Sequence, residues 1–296
     1  MTGEVLRYAA FPDEDSTSSS PGNPAGVVLG AETLTEAQMQ TIAETIGYSE
    51  TAFLAPIGPG SRDEFRTRYF SPKAEVDFCG HATIAAAVAV AERHGAGDVV
   101  MVTNAGRVTV RTQEHGRTIT ATLTSPATSS RPVAPRVLTA ALSALRLPPE
   151  SLDPRYPARV AFAGNHHLVL GVTEAHVLDD LDYDYVSLDA LMALEGWTTV
   201  HVFHHAGHHL YTARNAFPPG GVREDPATGA AAAAFGGYLR ELGLVEVPCT
   251  VTVLQGHQMG SPSRLMVGID GDHPGIEVTG TATRLSPSPY DEIDLP

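Results

Sequence analysis

Arg68-Tyr-Phe-Ser-Pro-Lys-Ala-Glu-Val-Asp-Phe-Cys79-Gly80-His81 runs into the alanine-rich Ala82-Thr-Ile-Ala-Ala-Ala-Val-Ala-Val90, and a second version of this phrase stands in the other half of the chain. It reads Thr212-Ala-Arg-Asn-Ala-Phe-Pro-Pro-Gly-Gly-Val-Arg-Glu224-Asp225-Pro226-Ala227-Thr228-Gly229, followed by Ala230-Ala-Ala-Ala-Ala-Phe-Gly-Gly-Tyr238. A repeat this long signals duplication of a whole domain rather than an array of short units. Each copy turns through small residues into a helix, where unpaired amides and the positive dipole end meet. Two related halves are expected to face each other and offer a small acid a seat at these helix starts.

The helices decide the architecture. A surface helix shows a polar face, whereas Ala82 to Ala91 and Ala230 to Phe235 are small and apolar nearly all round, as befits a helix surrounded by protein. The expected fold class is therefore α+β, with two pseudo-symmetric domains, each a β-barrel-like sheet wrapped around one central α-helix. The alternative is an ordinary sandwich with one buried helix.

Around these helices the pattern is rich in strands. Val5 to Tyr8 and Asn23 to Leu29 read as strands separated by an acidic, serine-rich loop. Thr35-Glu-Ala-Gln38 has capping-box spacing and opens a helix with Met39, Ile42, Ala43 and Ile46 on its apolar face and Gly47 at its end. Glu50 to Leu54 and Glu64 to Phe70 follow as strands. Val99 to Val102, Gly106 to Arg111 and Thr118 to Leu123 form a meander after the helix that starts at His81. The second half repeats the order: Val169-Leu-Gly171 echoes Val28-Leu-Gly30, the helix Leu188 to Glu195 echoes Thr35 to Ile46, and Thr199 to Phe203 echoes the strand after it. Strands at Val247 to Gln255, Leu265 to Ile269 and Gly275 to Thr281 close the unit. The expected domains are 1–124, completed by residues near 280–296, and 137–283. The Pro/Ser/Ala stretch 125–136 is read as the linker, and the tail from Ser286 as loosely attached.

Composition narrows the function classes. With 34 acidic against 19 basic residues and a formal charge of -15, nucleic acid and anionic membranes are repelled over most of the surface, so neither is expected as a partner. No apolar run is long enough to span a bilayer. Two cysteines in unlike contexts, Cys79 and Cys249, make no disulfide framework, and a cytoplasmic location is expected. No phosphate loop or dinucleotide fingerprint occurs. The histidines at 201, 204, 205, 208 and 209 tempt a metal reading, but the repeat makes their segment a hairpin, and strand spacing lacks the helical pairing a zinc motif needs. No functional metal is expected at these histidines.

Four motifs in order, Asn23-Pro-Ala-Gly-Val-Val-Leu29, Ser49-Glu-Thr-Ala-Phe53, Phe78-Cys-Gly-His-Ala-Thr83 and Glu224-Asp-Pro-Ala-Thr-Gly229, resemble the PhzF-like isomerases of phenazine biosynthesis, relatives of the diaminopimelate epimerases. The resemblance spans about residues 4 to 283. It implies two barrel-around-helix halves with the active site between them, no cofactor, and a homodimer. It further implies that Glu50 is the proton-transferring carboxylate, with His81 and Asp225 its catalytic companions. Asn23, Cys79, Gly80, Ala82, Thr228, Gly229 and Ala230 are implied as substrate-binding.

The residues themselves speak to this assignment. Glu50 heads an apolar run, and the repeat sets Thr199 or its neighbour in the equivalent place, so only one half carries a base; its plainer reading is a solvated residue at a strand start. Related epimerases use two facing thiols, one per half, whereas here Cys79 faces Asp225 to Gly229, which contains no cysteine. A two-thiol racemase is not expected. Cys79 is read as a small buried residue, with a reactive thiol at a helix N-terminus as the alternative; it departs from PhzF-like members with alanine or glycine there. The favoured function is a proton shift within a small carboxylate-bearing substrate by Glu50 acid/base catalysis. The competing one is a catalytically silent member that binds a metabolite or a protein. Loops 13–20 and 256–263 are expected to carry selectivity.

Overall fold

The computed structural model describes residues 4–18, 21–58 and 60–286, so most of the tail from Ser286 lies outside the described residues. The chain divides into two units. The first gathers Met1–Glu14, Ser20–Leu123 and Thr279–Pro296, and the second Asp15–Ser19 and Thr124–Val278.

In the first unit β1 (Glu4–Ala10), β2 (Asn23–Leu29), α1 (Glu36–Ile46), β3 (Thr51–Pro56), β4 (Glu64–Phe70), β5 (Glu75–Val76), α2 (Gly80–His94), β6 (Asp98–Thr103), β7 (Gly106–His115) and β8 (Thr118–Thr124) follow in order. Strands β1, β2, β3, β4, β6, β7 and β8 pair in that succession, and the C-terminal strand Glu277–Arg284 pairs with both β8 and β1. The ring is therefore a closed eight-stranded barrel. Its axis is α2, in which every residue from His81 to Ala91 is buried. Alanine is what fits: a closed ring of strands leaves little radius for side chains, and α2 lies against β1, β2, β3, β6 and β7. Outside the barrel α1 begins with both bonds of the expected capping box, buries Met39, Ile42, Ala43 and Ile46, and ends on Gly47 in the left-handed conformation.

The second unit holds β9 (Ser129–Pro132), α3 (Pro135–Leu145), β10 (Arg159–Phe162), β11 (His166–Val172), α4 (Ala175–Asp179), α5 (Tyr185–Glu195), β12 (Thr199–Gly207), β13 (Leu210–Ala216), β14 (Glu224–Asp225), α6 (Gly229–Glu241), β15 (Cys249–Gln255) and β16 (Ser263–Ile269), after which β17 (Glu277–Arg284) returns to close the first barrel. Among the described residues β9, β10, β11, β12, β13, β15 and β16 pair in succession. They wrap α6, buried from Ala231 to Leu239. The outer face is covered by α3 and α5 in a core that includes Leu142, Leu145, Leu188, Met192 and Trp197.

Three sequence expectations need correction. The stretch 125–136 is not a linker: Ser129–Pro132 is a strand paired with Arg159–Phe162, and Pro135 opens α3. Proline is tolerated at a strand end and favoured at the first helical position, so the residues that suggested a break lie where proline fits ordered structure. The echo of Val28 at Val169 is one residue out of register. Val28 faces α1, whereas it is Leu168 and Leu170 that join the outer core of the second unit. Finally, loop residues 15–18 group with the second unit, where Asp15 meets Arg264 at 2.6 Å and Ser18 Oγ donates to the Gly260 carbonyl at 2.9 Å. The two loops expected to carry selectivity thus touch.

Gly236 shows how closely α6 is embraced. A Cβ there would stand 2.7 Å from Val267 Cγ1 and 2.9 Å from Ile276 Cγ2. Alanine normally stabilises a helix interior by about 1 kcal/mol over glycine. Gly236→Ala is nevertheless expected to destabilise by about 1–3 kcal/mol, because the methyl group must push a stiff, β-branched wall aside. Urea unfolding monitored by circular dichroism checks the sign; a more stable variant would show that the sheet yields.

Candidate active site

Glu50 stands just before β3, tied to β2 by its carbonyl, which accepts the Gly26 N–H at 3.1 Å. Its side chain is 18 % exposed and reaches His81, with Oε2 3.5 Å from Nε2 of a ring only 6 % exposed. Ser49 Oγ lies 3.4 Å from the same nitrogen. On the other side of the ring Cys79 Sγ is 3.3 Å from Nδ1. A Cβ built on the intervening Gly80 would meet nothing within 4 Å. The backbone at the start of α2 therefore has free room at Gly80, between the two residues whose thiol and imidazole meet.

The helix start is fixed from beneath. Thr83 Oγ1 donates to the Cys79 carbonyl at 2.7 Å, and the Tyr69 hydroxyl sits 2.6 Å from Thr83 Oγ1. Burial holds the Tyr69 hydroxyl well above the usual tyrosine range, against the opposing effect of its bond to Thr83, so it serves as a neutral donor. In front of the helix, Arg68 Nε and Nη2 donate to the two Glu75 oxygens at 2.7 and 2.6 Å. That bidentate bond, more than the opposing desolvation, keeps the Glu75 carboxyl below its ordinary range. It clamps the loop that delivers Cys79.

The second unit contains the matching clamp: Arg214 Nε and Nη2 donate to Glu224 at 3.0 and 2.5 Å. The strand registers make the equivalence firm. Thr51 pairs with Phe70 and Phe53 with Arg68, as Val200 pairs with Ala216 and Val202 with Arg214. Glu50 therefore corresponds to Thr199, and Cys79 to Thr228. At this second helix start Thr228 Oγ1 donates to Asp225 Oδ2 at 2.7 Å, and Gln255 Nε2 donates to the Asp225 carbonyl at 2.6 Å. Gly229 and Ala230 keep partial exposure.

Where the first unit has Glu50, the second has a buried polar chain. Thr199 Oγ1 donates to Asn215 Oδ1 at 3.1 Å, which leaves His167 Nδ1, 2.8 Å away, as the donor to Thr199. His201 Nδ1 lies 3.3 Å from the same amide oxygen. Burial holds His167 at about 3 and His201 at about 4, both well below the usual value of 6.5. Both rings are neutral in the folded protein, while the unfolded chain binds protons once the pH falls below about 6.5. Stability from this source is thus complete above pH ~6.5 and is lost as the pH falls toward about 4 and then about 3. His201→Gln is expected to flatten the fall in urea midpoint between pH ~6.5 and ~4 relative to wild type; parallel curves would refute the assignment.

With this geometry in hand, residues 9–287 match the model of the family described as phenazine biosynthesis-like protein. The chain belongs to this family. It is 30% identical to the uncharacterized isomerase YfhB of Bacillus subtilis, covering 94% of this chain and 95% of that protein. It is 27% identical to the trans-2,3-dihydro-3-hydroxyanthranilate isomerase of Pseudomonas chlororaphis, with coverage of 87% and 89%. In structure it is similar to the PhzF-family phenazine biosynthesis protein of Bacillus anthracis, at a TM-score of 0.82 and 25% identity over 97% of this chain and 98% of that one.

The first unit brings together Glu50, Cys79, Gly80 and His81, and the second brings together Asp225, Thr228, Gly229 and Ala230. Asn23, 2 % exposed, opens β2 three residues before Gly26. Ala82, in the first turn of α2, has no accessible surface. Sequence reasoning missed Ser49, Gln255 and the two arginine–glutamate clamps. Only the clamps left a signal, since arginine and glutamate recur at matching places in both copies. Among the described residues no helix is long and apolar enough to cross a membrane.

Proposed function

We propose that the protein is an isomerase that needs no cofactor and moves a proton within a small carboxylate-bearing metabolite. Glu50 takes the proton from one carbon and returns it to another, so substrate and product share one composition. The observation that carries this reading is the Glu50–His81 approach of 3.5 Å, with both side chains largely shielded from water. A carboxylate that is mostly shielded, yet still partly exposed, can reach a substrate C–H without a full hydration shell to displace.

His81 holds the Glu50 carboxylate in place and hydrogen-bonds a polar substituent. The amides that open α2 receive the substrate's acid group and stabilise the charge that develops when the adjacent C–H bond breaks. The name of the Pseudomonas relative supports this substrate class, because an anthranilate derivative is a small ring acid of the kind such amides would hold.

The test is incorporation of solvent deuterium into a panel of small acids that includes trans-2,3-dihydro-3-hydroxyanthranilate. Exchange at carbon, accompanied by an isomeric product, is the expected result. Binding of an acid without any exchange would overturn the enzymatic reading and leave a metabolite-binding protein.

A further inference from the structure

We propose that Glu50, Cys79 and His81 form a binding site for a thiophilic divalent cation, Zn2+ being the natural occupant, and that the bound cation blocks the proton shift. One ligand atom from each residue lies within 4.8 Å of the other two, and among the described residues this is the only such convergence of three thiol, imidazole or carboxylate donors. The His81 Nε2 to Glu50 Oε2 distance is 3.5 Å, and Cys79 Sγ to His81 Nε2 is 4.0 Å. Ligands about 2.0–2.3 Å from a tetrahedral zinc stand roughly 3.3–3.6 Å apart, so small side-chain rotations suffice to close the three donors on one ion.

The donor chemistry selects the metal. Thiolate, imidazole and carboxylate together suit Zn2+ and its spectroscopic substitute Co2+, whereas Mg2+ and Ca2+ take oxygen ligands. Binding exchanges the Cys79 S–H bond for an S–metal bond and releases that proton to solvent. A thiolate and a carboxylate then balance the charge of the cation. The positive end of α2 opposes the cation itself but favours the thiolate it needs. The free room at Gly80 leaves a position for a fourth ligand, water or a substrate carboxylate. With its carboxylate held on the metal, Glu50 is less basic and no longer free to move to a substrate proton. This last consequence rests on the function proposed above; the binding does not.

Chelator-treated protein titrated with Co2+ tests the site. One equivalent should produce a thiolate-to-cobalt charge-transfer band that Zn2+ abolishes by displacement. The band should persist in Cys249→Ser and vanish in Cys79→Ser, where Zn2+ affinity should fall by at least about 100-fold. Absence of the band in wild type, or its loss in Cys249→Ser, would refute the site whatever the fate of the Cys79 variant. If the band forms while deuterium exchange continues at full rate, the inhibitory consequence and the role of Glu50 fail, and the metal site stands.

Discussion

Glu50→Gln is expected to slow solvent-deuterium incorporation into the substrate by about 10²–10⁴-fold, the usual worth of a positioned acid/base group. The amide keeps the size and reach of the carboxylate beside His81, and the tie that orders this residue, Gly26 N–H to the Glu50 carbonyl, is made by backbone. Folding should therefore be unchanged, and the loss should fall on kcat rather than KM, as for a group whose interaction matters only in the transition state. Glu50→Asp, shorter by one methylene, should retain part of the rate. A Glu50→Gln variant that exchanges deuterium as fast as wild type would remove the carboxylate from the chemistry and move attention to Cys79.

The largest structural loss is expected at the second clamp. Arg214 and Glu224 are nearly buried, with side chains 10% and 9% exposed, and Arg214 Nη1 also donates to the Leu178 carbonyl at 2.8 Å. Removing one partner strands a charge that water cannot reach, so Glu224→Ala should cost about 3–5 kcal/mol. The corresponding Glu75→Ala should cost roughly 1 kcal/mol or less, because Arg68 and Glu75 are 22% and 23% exposed and share their charge with solvent. Urea midpoints for the two variants provide the comparison. Equal losses would mean that both clamps are governed by loop geometry and not by burial.

Much of this arrangement is legible in the amino-acid order because local rules govern it. Thr35 and Gln38 announce α1 by capping chemistry alone, and the uninterrupted small residues after Gly80 and Gly229 announce helices without a wet face. What escapes is whatever depends on pairing between distant segments. Cys79 and His81 are neighbours in the chain, but their meeting with Glu50 is set by the parallel pairing of β2 with β3, which spacing does not reveal. Gln255 reaches Asp225 only because β15 lies beside β13. The helix α3 was hidden by Pro135, which reads as a breaker in isolation and as a first-turn residue once the helix exists. The one-residue slip between Val28 and Val169 has the same origin, since both strands are apolar on both faces and the alternation that would fix their register is missing.

The alanine-lined axes have a consequence for how such a molecule can change. A barrel threaded by a helix of minimal side chains has no spare volume to trade, so enlarging one residue on the axis cannot be balanced by trimming another. Novelty must enter at the ends of the cylinder, where chain turns meet solvent and length can vary freely. A laboratory search for altered substrate preference should accordingly find its successes among the turns that carry Asp15, Ser18 and Gly260, and almost none along the helical spine.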